Sequence, residues 1–258
     1  MSRPLAPFGR RACRVTANDG VGAYRVLRVD DHDGPRPAPG QFYMLAAVER
    51  WGAGEDERPY LPRAFSYLRR VGEELHFMLE DVGPGTARLC ELRPGEELWL
   101  VGPLGEPFGP PRGRAVLCGG GVGIAPLAAL QDELDAEATV LLGFRDAEHA
   151  PGAALVRDAR VATDDGSAGH HGRVTELLER ELGDGVEVFA CGPPPMLEAV
   201  RALCAERGVD AQLALEAGMA CGYGACFGCV VATRDGYARV CVDGPVFDAA
   251  SLGEVPAH

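Results

Sequence analysis

The sequence predicts a multidomain β and α/β protein in three successive units: an antiparallel β-barrel, a parallel α/β sheet and a small C-terminal cysteine module. Three observations lead there. Residues 1–110 hold short runs of β-formers between Gly/Pro turns, residues 111–213 alternate strand-like and helical patterns, and residues 214–258 carry four closely spaced cysteines. At 258 residues the chain exceeds one small core and suits two or three compact units.

In the first unit, Ala23–Val29 and Gln41–Val48 are rich in β-formers. Leu75, Phe77 and Leu79 alternate with His76, Met78 and Glu80, and Leu98 and Leu100 with Trp99 and Val101, the period of half-buried strands. Turns fall at Asp33-Gly34-Pro35, Pro39-Gly40, Gly83-Pro84-Gly85 and Pro94-Gly95, and short strands at that spacing predict a small barrel. The charged stretch Arg50–Pro59 is expected as an exposed loop. Arg63 and Ser66, three residues apart in Arg63-Ala64-Phe65-Ser66, suit one strand facing a phosphorylated ligand, the Arg as clamp for a pyrophosphate. Gly85 and Thr86 open a predicted helix over Thr86–Leu92, whose free N–H groups favour an anion. Taken alone, the first stretch also reads as a surface strand and the second as a turn with an N-cap.

The second unit opens with the apolar strand Arg114–Cys118. It runs into Gly119-Gly120-Gly121-Val122-Gly123-Ile124-Ala125-Pro126 and then a helix with Leu127, Leu130 and Leu134 at helical spacing. Strand, Gly-rich turn and helix form a nucleotide cradle, because glycines let the backbone approach a pyrophosphate. Thr139–Phe144 is the next strand. Arg145 and Asp146 follow it, where a ribose reader sits; the acid favours NAD and the Arg favours NADP, so the choice stays open. The turn Thr163-Asp164-Asp165-Gly166-Ser167 precedes a helix over Val174–Leu182, with His170 and His171 expected as solvated loop residues. The strand Val186–Ala190 ends at Cys191-Gly192-Pro193, before a helix that runs to Arg207 and stops at Gly208. Ligands of open sheets gather at the carboxyl ends of strands, where Gly119–Gly123, Asp164–Ser167 and Cys191–Met196 all fall. Cys191 reads equally as a nicotinamide contact or a buried thiol.

The third unit is the most specific. Cys221, Cys226, Cys229 and Cys241 are spaced C-x4-C-x2-C-x11-C, the plant-type spacing of [2Fe–2S] ligands. Gly222, Gly224, Ala225 and Gly228 let the main chain wrap closely and aim N–H donors at an anionic cluster. Zinc would call for two C-x2-C-like pairs, and paired disulfides for a secreted chain. The other cysteines are scattered, as expected of buried small hydrophobes. A net charge of −13 argues against nucleic acid. No apolar leader in Met1–Arg14 and no long apolar run are seen, so no membrane span and a reducing cytoplasm are expected.

Arg63-Ala64-Phe65-Ser66 and Gly85-Thr86, with Gly102-Pro103-Leu104-Gly105 closing the barrel, resemble the FAD-binding domain of the ferredoxin–NADP reductase superfamily. The resemblance implies that the first motif contacts the flavin and its phosphates, that the second sits at the pyrophosphate, and that Met78, Leu79 and Glu80 border the flavin nucleotide. Ala64 stands where Pro is usual, and Glu106-Pro107 where Asn-Gly is usual. Thr163–Ser167, Cys191-Gly192-Pro193-Pro194-Pro195-Met196-Leu197 and Met219–Val231 closely resemble one branch, the electron-transfer subunits of NAD-dependent dihydroorotate dehydrogenase, over nearly the whole chain. Gly218 replaces a usual Arg.

That resemblance implies FAD, NAD and a [2Fe–2S] cluster as cofactors. Arg63, Ala64, Phe65, Ser66, Met78, Leu79, Glu80, Gly85 and Thr86 would serve the flavin. Gly119, Gly120, Gly121, Gly123, Cys191, Gly192 and Pro193 would serve the nicotinamide cofactor, and Cys221, Cys226, Cys229 and Cys241 the iron. It also implies an FMN-containing catalytic partner in a heterotetramer of two plus two subunits, with electrons passing from that FMN through the cluster and FAD to NAD+. No acid–base residue is expected, since cofactors carry such chemistry. Two rival readings are an NAD(P)H reductase serving a hydrogenase, a ferredoxin or a glutamate synthase, and a zinc-binding sensor.

Overall fold

A computed structural model describes residues 9–52, 59–134 and 137–253. The middle of the expected loop, residues 53–58, lies outside them, as do residues 1–8 of the expected leader-free start.

Six antiparallel strands close the barrel: β1 (Arg11–Val21), β2 (Tyr24–Asp30), β3 (Phe42–Ala47), β4 (Arg63–Val71), β5 (Glu74–Glu80) and β6 (Glu97–Leu104), in the order β1-β2-β5-β4-β3-β6. The alternation read in β5 holds on its inner face, where Leu75, Phe77 and Leu79 are fully enclosed with Leu27, Leu45 and Leu98. Phe77 meets Tyr43 edge-on at 5.5 Å across the barrel. The other face departs from a half-buried strand. Met78 is buried too, because the α/β unit covers that side of the barrel. Helix α1 (Pro84–Cys90) begins two residues before the expected start, with Pro84 in its first turn, where a missing N–H costs nothing. It ends before Leu92, whose N–H turns to the Leu89 carbonyl.

The second sheet has seven strands. They are β7 (Arg114–Gly120), β8 (Thr139–Phe144), β9 (Ala159–Thr163), β10 (His170–His171), β11 (Val186–Cys191), β12 (Asp210–Ala214) and β15 (Val246–Asp248), in the order β10-β9-β8-β7-β11-β12-β15. All pair in parallel except β15, which is antiparallel to β12. His170 and His171 are therefore not loop residues but a two-residue edge strand along β9. Helices α2 (Ile124–Glu133), α3 (Val174–Glu179) and α4 (Pro194–Arg207) follow β7, β10 and β11. α3 is shorter than expected because its last turn tightens, with the Glu181 N–H bonding Leu178. α4 stops where Gly208 takes the left-handed φ of 65°. The hairpin β13 (Val230–Thr233) and β14 (Gly236–Arg239) carries the third unit. Among the described residues no helix is long and apolar enough to cross a membrane.

Two devices fix the barrel on the sheet. α2 packs on β4, with Arg69 and Asp132 paired at 2.5 Å. The connecting strand of chain is pinned by buried polar groups: Gly109 N–H donates to Gln212 Oε1 at 2.7 Å and Arg112 N–H to Glu187 Oε2 at 2.6 Å. Gln212 Nε2 closes the set on Glu187 Oε1 at 3.0 Å.

Candidate functional site

The sheet order reverses between β7 and β11, the switch point where open α/β sheets take ligands. Two cavities abut there, on either side of the turn Gly121–Val122 and the strand end Cys191–Pro193.

The first is a cleft of about 260 Å³ between barrel and sheet. Arg63, Ala64, Phe65, Ser66, Met78, Thr86 and Cys191 all line it. The Arg63 side chain lies over Gly85, where a Cβ would come within 2.5 Å of Nε, and its Nη1 donates to the Leu61 carbonyl at 2.6 Å. Gly85 is thus buried beneath the guanidinium rather than facing the cleft. Its missing side chain is what lets the cation lie flat against the start of α1. The Thr86 hydroxyl accepts from Val82 N–H and donates to the Gly83 carbonyl, both at 2.9 Å, so it closes the turn that shapes this wall. Leu79 stands apart: its side chain points into the barrel core and is fully enclosed.

The opposite wall holds groups that sequence reasoning did not single out: Val122, Ala125, Leu215 and Glu216. Val122 and Ala125 belong to the glycine-rich turn and the start of α2, whereas Leu215 and Glu216 follow β12, a strand that the sequence reading does not include among those whose ends gather ligands. Glu216 is open to the cleft but walled by protein, and this desolvation raises its carboxyl above the ordinary range. Burial, reinforced by the nearby Glu216 charge, holds the Cys191 thiol well above its usual range, so it stays protonated.

The second cavity, of about 400 Å³, is lined by Glu80, Gly120, Gly121 and Pro193 together with Tyr24, Arg145, His149, Asp164 and Arg173. Gly121 has φ of 55° and open space where a Cβ would project. Gly120 packs against Met196, whose Sδ would lie 2.8 Å from an added Cβ. Gly119, Gly123 and Gly192 serve packing instead: an added Cβ would meet Leu142, the Cys191 backbone and Met196. The glycine run is therefore divided between close strand–helix packing and one residue open to the cavity. Glu80 lines this second cavity and not the barrel–sheet cleft.

The cysteine centre sits directly beyond the cleft wall. Ala217 and Met219 line the cleft, and Cys221 follows two residues later. Gly222, with φ of 79°, lets the loop seat on the barrel: an added Cβ would lie 2.5 Å from Met44 Cγ. Cys221 adjoins Cys226, and Cys241 adjoins Cys229. Cys226 is exposed, whereas Cys229 and Cys241 are buried. N–H groups aim at the sulfurs: Gly228 at Cys226 and Cys241 at Cys229, each at 3.4 Å. Partial burial opposes charge on Cys221, but the N–H groups of Tyr223, Cys226 and Ala225 outweigh it and lower the thiol to about 6. Cys241 is pushed up to about 12 by burial and by Cys229. Among the described residues, no three His, Cys, Asp or Glu side chains close on a single ion. Two pairs of thiols with N–H donors fit two sulfide-bridged irons better than one metal ion.

A six-stranded barrel, a switch-point sheet and an appended four-thiol loop define a ferredoxin–NADP reductase-type fold carrying an iron–sulfur module. Residues 216–253 match the family model described as the iron-sulfur cluster binding domain of dihydroorotate dehydrogenase B. The chain is 35% identical over 249 residues to the dihydroorotate dehydrogenase B (NAD(+)), electron transfer subunit of Caldanaerobacter subterraneus subsp. tengcongensis, covering 93% of this chain and 96% of that one. It is also 35% identical over 219 residues to the protein of that name from Clostridium acetobutylicum, covering 83% and 85%. The chain belongs to the family of dihydroorotate dehydrogenase B electron transfer subunits. A solved NADH-dependent reduced ferredoxin-NADP oxidoreductase shares the fold with a TM-score of 0.79 at 23% identity, covering 94% of this chain and 90% of that one.

Proposed function

We propose that this chain carries electrons between NAD+ and the FMN-containing catalytic subunit of dihydroorotate dehydrogenase, with FAD in the barrel–sheet cleft and a [2Fe–2S] cluster on Cys221, Cys226, Cys229 and Cys241. The net path runs from dihydroorotate oxidation on the partner to NAD+ reduction here. When bound, FAD exchanges electron pairs with a nicotinamide and single electrons with an iron–sulfur cluster.

The chain's own work is positioning. Arg63 meets the flavin's pyrophosphate beside the start of α1, Ser66 offers a hydroxyl to the ring, and Phe65, Ala64 and Met78 give the cleft an apolar wall that excludes water. Val122 and Cys191 line the cleft next in the chain to the Gly120–Gly121 and Pro193 lining of the second cavity, so a nicotinamide held by that cavity would approach the flavin from the Gly120–Gly121 side. Cys191, kept as a neutral thiol, adds bulk and a weak donor without adding charge. Glu216 adds a carboxyl group to the same wall.

One observation carries the reading: a single segment, Leu215–Met219, forms the cleft wall and leads straight into Cys221. The flavin site and the one-electron centre are thereby held side by side. Assembly as two plus two subunits in the cytoplasm belongs to the same reading. The test is reconstitution with a dihydroorotate dehydrogenase catalytic subunit. Dihydroorotate-dependent NAD+ reduction that requires both chains supports it; NADH oxidation by this chain with no orotate-linked turnover in the pair refutes it.

A further inference from the structure

A third cavity, of about 980 Å³, lies on the barrel between Arg14 of β1, the Val48–Arg50 segment after β3, the end of α1 and the Arg93–Glu97 turn. It shares no lining residue with the two cavities at the switch point. Backbone bonds fix its frame. Gly95 N–H donates to the Val15 carbonyl and Val15 N–H to the Glu96 carbonyl, both at 2.8 Å, and Val48 N–H donates to the Glu97 carbonyl at 3.0 Å. The lining sets four arginines against four glutamates, in a chain whose net charge is −13. That net charge repels a large polyanion, whereas a small ligand carrying both acceptors and donors suits the mixed lining.

Arg88 is the buried member of this set. Only 6% exposed, it donates through Nε to the Glu49 carbonyl at 3.3 Å and through Nη2 to Glu96 Oε1 at 2.8 Å. Its Nη1 is buried as well, and has no hydrogen-bond partner among the described residues. Buried donors are paired as a rule, so an unpartnered guanidinium nitrogen on a cavity wall marks a place for an acceptor. Glu96 does not supply it, because its second oxygen takes Arg93 N–H at 2.7 Å. Arg50 and Glu91 pair with each other at 2.5 Å; both are more than half exposed, and such pairs cost little to separate. The guanidiniums of Arg14 and Arg93 make no ion pair or hydrogen bond among the described residues, nor do the carboxylates of Glu49 and Glu97.

We propose that this cavity binds a sugar phosphate, with Arg88, Arg14 and Arg93 on the phosphate and Glu49 and Glu97 on the sugar hydroxyls. The guanidinium fork matches phosphate oxygens two at a time, and carboxylates accept from hydroxyls that a bare phosphate lacks. The volume suits a ligand of that size. No aromatic side chain lines the cavity, so nothing there stacks a base, and this favours a sugar phosphate over a nucleotide.

Calorimetric titration of the FAD- and cluster-loaded protein with ribose 5-phosphate, ribose and inorganic phosphate tests this. Ribose 5-phosphate is expected to bind with a Kd of about 1 mM or lower, phosphate about tenfold more weakly, and ribose more weakly still. Arg14→Gln and Arg93→Gln alter exposed side chains. Each is expected to weaken ribose 5-phosphate binding by about tenfold, with flavin content and flavin reduction by NADH unchanged. Glu97→Gln is expected to narrow the preference over phosphate to about threefold or less. Arg173→Gln, in the second cavity, leaves the affinity alone. Absence of ribose 5-phosphate binding at about 10 mM overturns the proposal, as does an affinity moved less than about twofold by both arginine substitutions. Phosphate bound as tightly as ribose 5-phosphate, or binding lost in Arg173→Gln, overturns it too.

Discussion

The guanidinium of Arg63 lies directly over the α-carbon of Gly85; a methyl group there would stand 2.5 Å from Nε and 2.8 Å from Cζ. The contact joins β4 to the start of α1 and sets where Arg63, the one cation of the cleft wall among the described residues, can reach. Gly85→Ala is expected to displace Arg63 and weaken FAD binding by about tenfold to a hundredfold, the loss of one or two charge-assisted hydrogen bonds. FAD titration of deflavinated protein measures this, and Arg63→Ala should give a loss at least as large. Unchanged FAD affinity in both variants would remove Arg63 from the pyrophosphate site.

The thiols of the cysteine centre differ in acidity. In cluster-free protein Cys221, lowered to about 6 from an ordinary 9.0, is expected to react with iodoacetamide at neutral pH, while Cys241, pushed up to about 12, stays inert. The folded form favours the Cys221 thiolate. Its stabilisation is therefore complete above 9.0 and declines as pH falls toward about 6, below which it is gone. Labelling at graded pH with peptide mass analysis reads this directly. Equal rates at Cys221 and Cys241 would contradict it.

The polar lock between Glu187 and Gln212 predicts a stability effect far from any cofactor. Gln212→Leu leaves Gly109 N–H and one Glu187 oxygen without their buried partner. The expected cost is about 2 kcal/mol, or a Tm lower by about 4–8 °C. Thermal denaturation checks it, and a Tm within about 1 °C of wild type would show that the connecting segment is held by other contacts.

Much of this was legible locally. Alternation in Leu75–Glu80 and the apolar runs at Arg114–Cys118, Thr139–Phe144 and Val186–Ala190 mark strands because each records its own burial. The cysteine spacing records ligation. Three features are not local. β15 is a three-residue strand that exists only because the chain returns to β12 after the cysteine loop. His170 and His171 become a strand only through pairing with β9. The fate of Arg145 depends on Glu80, 65 residues earlier in the chain, and on His149, so no reading of the β8 end alone assigns it. Leu79 shows the same limit in reverse, since a motif names neighbours of a ligand without telling which face of the strand meets it.

The central claim is that single electrons leave through iron held by the four thiolates next to the flavin cleft. It is tested most directly with Cys226→Ser in the reconstituted pair. The account predicts that this variant loses its iron, keeps NADH-dependent flavin reduction, and loses dihydroorotate-to-NAD+ turnover by about a hundredfold or more. Undiminished turnover in the iron-free variant would contradict it.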